Sequence, residues 1–203
     1  ITVVISLFCV FLLVTSCTPK AEAQAGTLPT IKEGILTVGS DCTWPPMEFI
    51  QGDKIVGFDY DLAQEIADRL GLELDYQNTA WDGLFPALIV NKFDMAISSI
   101  TITEDRQKEM DFSIPYFNTD QTVAVKAGSD IDSEEKLNGK TAGAQIGTTG
   151  EIVAREIEGL DVQTYDDILM VFEDLKAGRI DAAVCDSYLG YYFANGDEDF
   201  EIA

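Results

Sequence analysis

Ser98, Ser99 and Thr101 stand within four residues of one another, and Arg106 follows five residues after Thr101. Hydroxyls and a guanidinium at this spacing can grip a carboxylate. The guanidinium is a planar fork of donors that matches two carboxylate oxygens. Hydroxyls and backbone N–H groups at a strand end complete the cradle, and the apolar run Met95 to Ile97 supplies that strand end. The structural alternative is a strand leading into a helix, with Thr103 as N-cap and Arg106 on a solvated face.

The elements that must position such a cradle come from a chain of 203 residues, long enough for one sizeable domain or two small lobes. Its hydrophobic fraction, 46%, is ordinary for a globular protein. Its formal net charge, −23, is not. Nucleic acid is disfavoured as a partner, because phosphate binding needs a basic surface. A cationic or zwitterionic small ligand suits this field better than an anion, although the same charge also keeps an exported protein soluble. There is no histidine, which removes His-based triads and His metal sites, and no Cys-x-x-Cys pattern suggests zinc. The turn Gly147-Thr-Thr-Gly150 lacks the lysine of a phosphate-binding loop. Neither a cofactor nor a metal is expected.

Residues 1–17 carry no charged side chain, and Val3 to Val14 is a nearly continuous apolar run. It is short for a bilayer span and reads as the core of an export signal, with a transmembrane helix as the alternative. Val14-Thr-Ser-Cys17 resembles the lipobox of bacterial lipoproteins. That likeness implies lipidation at Cys17 and a mature protein anchored outside the cell membrane. No initiator Met or basic n-region precedes the run, so the sequence is expected to be cut at this end. Residues 18–34 read as a flexible tether. Cys9 falls in the signal, while Cys42 and Cys185 are far apart in sequence and read as free thiols.

Beyond the tether, the pattern predicts a buried strand at Ile35–Gly39, a loop over Ser40–Met47, and a hairpin of Glu48–Ile50 with Ile55–Phe58. A helix starting at Asp59 and closed by Gly71 follows, with Leu62, Ile66 and Leu70 at helical spacing. Then come a strand at Leu72–Tyr76, a helix over Asp82–Asn91, and a strand at Phe93–Ile97. The second half predicts strands at Thr122–Val125, Thr141–Gln145, Val162–Tyr165 and Asp181–Cys185. A short helix over Asp132–Leu137 and helices through Glu156, over Ile168–Ala177 and over Ser187–Phe193 lie between and after them. Both halves thus show a βαβαβ order, and each carries a helix–Lys/Arg–Asp signal before its last small-residue strand (Lys92-Phe-Asp94 and Arg179-Ile-Asp181). This predicts two related α/β lobes with mostly parallel sheets, residues 35–119 and 120–203. Ligands bind outside the carboxyl ends of strands in such sheets, here in the cleft between the lobes.

Six segments in this order resemble the extracytoplasmic solute-binding proteins of polar amino acid ABC importers, the bacterial family 3. They are Gly39–Phe49, Val56–Leu62, Ser98–Arg106, Asp111–Tyr116, Gly143–Gly150 and Asp181–Asp186. The resemblance implies a two-lobed periplasmic-binding-protein fold of type II and capture of a free amino acid, leaning to a basic one, for delivery to a membrane permease. It implies a monomer without catalytic residues. It assigns the ligand α-carboxylate to Arg106, Thr101, the Ser99 backbone and Thr149, and the α-ammonium to Asp186, which doubles as a helix N-cap. Trp44 and Trp81, both placed in loops, would sandwich the ligand side chain. Asp41 and Ser98 would face its tip, with Gln145 as a further hydrogen-bonding group. Family members continue past residue 203 and return to the first lobe, so a C-terminal truncation is expected. Two other functions share the fold: a dehydratase-like enzyme, with Glu48 and Asp41 as the nearby acids, and the sensor domain of a receptor.

Overall fold

The computed structural model describes residues 29–203. The export signal, Cys9, the lipobox with Cys17 and most of the tether lie outside the described residues. Residues 30–32, read as tether, are held on the first lobe instead. The Ile31 N–H donates to Asp94 Oδ1 at 2.7 Å, and Lys32 Nζ pairs with Asp75 at 2.8 Å.

The first half runs β1 (Ile35–Ser40), β2 (Thr43–Trp44), β3 (Glu48–Gln51), β4 (Lys54–Val56), α1 (Phe58–Leu70), β5 (Glu73–Asn78), α2 (Trp81–Ile89) and β6 (Met95–Ala96). β1 is the centre of a parallel sheet, ordered β5-β1-β6. Helices cover both of its faces, which is why β1 is buried continuously rather than on alternate residues. β2, β3 and β4 form a separate antiparallel sheet, so the stretch read as a loop at Ser40–Met47 contains a short strand. The face of α1 that is fully buried carries Asp59, Ala63 and Ala67. Leu62 and Ile66 are half-buried beside it, and Leu70 is exposed. Alanine brings the helix axis close to the sheet. Gly71 ends α1 at φ 69°, in the left-handed region.

The strand expected over Phe93–Ile97 contracts to two residues, and Phe93 before it is a core side chain packed on Gly39. A Cβ at Gly39 would lie 2.5 Å from Phe93 Cδ2. Trp81 is the first residue of α2 rather than a loop residue.

The second half runs β7 (Gln121–Lys126), β8 (Thr141–Gln145), α3 (Thr149–Glu156), β9 (Asp161–Tyr165), α4 (Ile168–Ala177), β10 (Ala182–Asp186), α5 (Ser187–Gly196) and β11 (Phe200–Ile202). Its sheet is ordered β11-β7-β10-β8-β9. β8 pairs in parallel with β9 and β10, as βαβ crossovers require. β7 is antiparallel to both β10 and β11. The sheet is therefore mixed: β7 enters from the first lobe without a crossover helix to turn it.

The repeat suggested by the sequence is physical. Asp94 closes the first βαβαβ unit by accepting the Thr37 N–H at 2.7 Å, and Asp94 N–H donates to Thr37 O at 2.9 Å. Asp181 does the same in the second unit, accepting the Thr141 N–H at 2.8 Å and donating to Thr141 O at 2.8 Å. In each unit the helix before this clasp ends in a left-handed residue, Asn91 at φ 55° and Gly178 at φ 69°. The cores are separate for the most part. Leu36, Val38, Ala63, Ala67 and Ile97 form one in the first lobe. Ile168, Phe172, Leu175 and Leu189 anchor one in the second, and Trp44 of the first lobe inserts into it.

Candidate functional site

A small space lies between the lobes. Trp44, Trp81, Ser98, Ser99, Thr101, Arg106, Thr149 and Asp186 are brought together around it, with Thr148 in addition. Asp41 and Gln145 do not line it.

Arg106 opens a 3₁₀ turn whose N-cap is Asp105 rather than the expected Thr103, and no side chain caps it. The Arg106 N–H still donates to Thr103 Oγ1 at 3.2 Å, and the guanidinium faces the cleft rather than solvent. That guanidinium lies against the rings of Trp81 (5.4 Å to the centroid) and Phe85 (5.1 Å). Nη1 donates to Thr101 O at 2.8 Å and Nη2 to Gly147 O at 3.1 Å, so it touches both lobes. No carboxylate pairs with it among the described residues, and most of its five N–H donors stay uncommitted. Burial pulls its pKa down, opposed by the charge of Asp186.

Thr148 and Thr149 come from the start of α3. Thr148 Oγ1 accepts the Glu151 N–H at 3.3 Å, and Glu151 Oε2 accepts the Gly147 N–H at 2.6 Å. This reciprocal cap presents the positive end of α3 to the cleft. Gly150 lets α3 approach β10, since a Cβ there would sit 2.8 Å from Val184 O. Thr149 Oγ1 lies 3.3 Å from Thr101 Oγ1, joining the two lobes at the cradle.

Asp186, at the end of β10, is 4% exposed. Burial pushes its carboxyl up to about 6, against the opposing pull of the Gln121 amide and the Arg106 charge. It starts α5 but makes no side-chain capping bond, which corrects the double role expected of it. Its oxygen Oδ1 instead accepts from Gln121 Nε2, which also reaches Thr149 Oγ1 at 3.3 Å.

The Ser99 backbone N–H is not offered to the cleft, as had been expected. It donates to Asp59 Oδ2 at 2.8 Å, with Ser99 in a left-handed conformation at φ 49°. Ser98 Oγ accepts the Asp41 N–H at 2.9 Å and donates to Glu48 Oε1 at 3.0 Å. Asp41 is occupied as well. Its Oδ1 accepts from Thr43 Oγ1 at 3.0 Å and its Oδ2 from Gln145 Nε2 at 2.8 Å. Burial pushes the Asp41 carboxyl up to about 6. Gln145 Oε1 accepts the Trp44 indole N–H at 2.7 Å. The chain Trp44–Gln145–Asp41 thus passes from the first lobe to the second and back.

Thr148, Gln121 and Phe85 were not anticipated as neighbours of the site. The spacing Thr148-x-x-Glu151 is a capping-box signature that points to Thr148. Pairing of Gln121 with Asp186 rests on the β7–β10 register, which places the two directly opposite and leaves no local trace.

Residues 36–156 match the family model of the bacterial extracellular solute-binding proteins, family 3. The L-cystine-binding protein TcyJ of Escherichia coli (strain K12) is 39% identical over 180 residues, 86% of this chain and 67% of that protein. The arginine-binding extracellular protein ArtP of Bacillus subtilis (strain 168) is 31% identical over 194 residues, 92% of this chain and 76% of that protein. Among solved structures, the arginine-bound form of truncated ArgBP from T. maritima superposes with a TM-score of 0.80 at 44% identity, covering 83% of this chain and 81% of that one. A half-buried arginine and a buried aspartate across one cleft, on a two-lobed α/β frame shared with amino-acid-binding proteins, agree with that match: the chain belongs to the bacterial extracellular solute-binding proteins, family 3.

Proposed function

We propose that the protein captures a free polar amino acid, leaning to arginine, lysine or histidine, and delivers it to an ABC permease without chemical turnover. In this reading it works outside the membrane, anchored through Cys17. The observation that carries the reading is that Arg106 of the first lobe and Asp186 of the second line one space. A zwitterion needs an anion site and a cation site at once, and a buried charge without a partner is costly. Arg106, Thr101 and Thr149 take the α-carboxylate, and Asp186 takes the α-ammonium. Trp44 and Trp81 flank the side chain, and Ser98 lies at the floor.

The lean to a basic side chain rests on Asp41. A cationic head group would take the place of Gln145 Nε2 at Asp41 Oδ2. A second reading follows from the same contact. With Asp41 already satisfied by Gln145, a neutral polar ligand such as glutamine or cystine closes the lobes without breaking that bond. Glu48 and Asp41, the acids an enzyme would need, are both engaged in protein hydrogen bonds and absent from the lining of the space, which favours binding over catalysis. The test is a thermal-shift screen over the twenty amino acids and cystine. Stabilisation by arginine, lysine or histidine alone supports the basic reading. A shift with glutamine or cystine selects the second, and no shift with any of them refutes capture.

A further inference from the structure

Glu48 and Asp59 are both 0% exposed and lie behind the ligand-facing serines rather than in the cleft. Among the described residues neither has a cationic partner. Glu48 Oε1 accepts from Ser98 Oγ at 3.0 Å, and Glu48 Oε2 lies 3.4 Å from Ser99 Oγ. Asp59 Oδ2 accepts the Ser99 N–H at 2.8 Å and the Tyr116 hydroxyl at 2.9 Å. Asp59 Oδ1 is buried and receives no hydrogen bond from any N–H or hydroxyl. The Glu48 carboxyl lies within hydrogen-bonding range of the Asp59 carboxyl. Two buried carboxylates in contact cannot both be ionised without a cation, whereas one proton between them removes the repulsion and supplies the missing donor.

We propose that Glu48 and Asp59 share one proton at neutral pH and act together as positioning residues for the ligand cradle. Glu48 is the acid and Asp59 the acceptor. The pair holds three things at once. It clamps Ser99 in its left-handed turn, a conformation disfavoured for a residue with a Cβ. It fixes Ser98, which in turn holds the Asp41 N–H. It ties Tyr116, in the segment leading to the second lobe, back to α1. Burial, first of all, pushes both carboxyls upward. The groups facing the pair are Asp41 and Cys42 after β1, Tyr76 of β5, Tyr116, and Tyr188 of α5. None of them is a cation that would release the proton.

This inference rests on the amino-acid-capture reading for its binding readout only. The experiment compares the full chain with E48Q, E48A and D59N. Infrared spectra at about pH 7.5 are expected to show a carboxylic-acid C=O band that E48Q removes, because an amide can replace the acid as donor to Asp59. Amino-acid affinity is expected to stay within about threefold in E48Q and to fall at least roughly tenfold in E48A and D59N, which strand donors or acceptors. The melting temperature of the unliganded protein is expected to fall as pH rises above the ordinary carboxylate range, and E48Q should lose part of that slope. Absence of the acid band, its persistence in E48Q, or wild-type affinity in E48A overturns the proposal. If the wild type binds no amino acid, the capture reading fails, while the infrared band still decides the shared proton.

Discussion

The Trp44 indole N–H lies 2.7 Å from Gln145 Oε1, although the two residues belong to different lobes. The first lobe sends an aromatic ring into the core of the second, and the second returns an amide to Asp41 of the first. Closure is thus stabilised by protein–protein contacts at the same place where a ligand side chain would end.

Replacing Arg106 by alanine removes the only cation that lines the space among the described residues. Affinity for any captured amino acid should fall by about a hundredfold or more, the scale for losing one partner of a desolvated charge pair. R106K should recover only part, because an ammonium cannot offer the planar fork. Isothermal titration measures both.

If Asp186 takes the α-ammonium, binding should depend on pH. The α-ammonium favours the ionised carboxylate, so affinity should be flat above pH 7 and fall as pH drops through about 6, the value to which burial raises this group. The slope approaches tenfold per pH unit, and D186N should abolish it while binding weakly throughout. Stability of the unliganded protein moves the other way. Asp186 binds its proton more tightly folded than unfolded, so its contribution is greatest at low pH and is lost as pH rises from about 4 through about 6. Binding and melting curves over this range should diverge accordingly.

Gln145 and Asp41 separate the two ligand readings. D41N should weaken a basic ligand by roughly tenfold or more and leave a neutral polar one nearly unchanged. Q145L breaks the bonds to Trp44 and Asp41 and should penalise the neutral ligand more. Competition titrations with arginine and glutamine report the ratio.

Trp44 and Trp81 are the only tryptophans and both line the space. Ligand addition should change intrinsic fluorescence saturably, and W44F and W81F should each keep part of the signal. A titration without any change contradicts the placement of the ligand between them.

Cys42 and Cys185 are free and buried. Burial pushes the Cys42 thiol up to about 12 and the Cys185 thiol upward too. Neither should react with a thiol reagent at neutral pH in the folded protein, and both should react in denaturant.

Most elements were legible because their signals are local. Gly71 and Gly178 mark helix ends, and the two Lys/Arg–Asp turns mark the repeat. Arg106 and the hydroxyls before it were legible because a strand end and one turn place them together. Gln121 beside Asp186 was not, since it needs the register of strands far apart in sequence. Nor was the commitment of the Ser99 N–H to Asp59, which depends on how closely the alanine face of α1 seats on the sheet. Asp41 and Gln145 were singled out, but as separate ligand contacts. Their mutual bond exists only once the lobes are closed.

The two threonine–aspartate clasps carry a further consequence. Asp41 stands four residues after Thr37, and Gln145 stands four residues after Thr141. The residues that bond across the cleft therefore occupy the same position of one repeated unit. The chain meets itself there as two subunits of an isologous dimer do. Two acids at such a contact would repel, whereas an acid facing an amide makes a donor–acceptor pair.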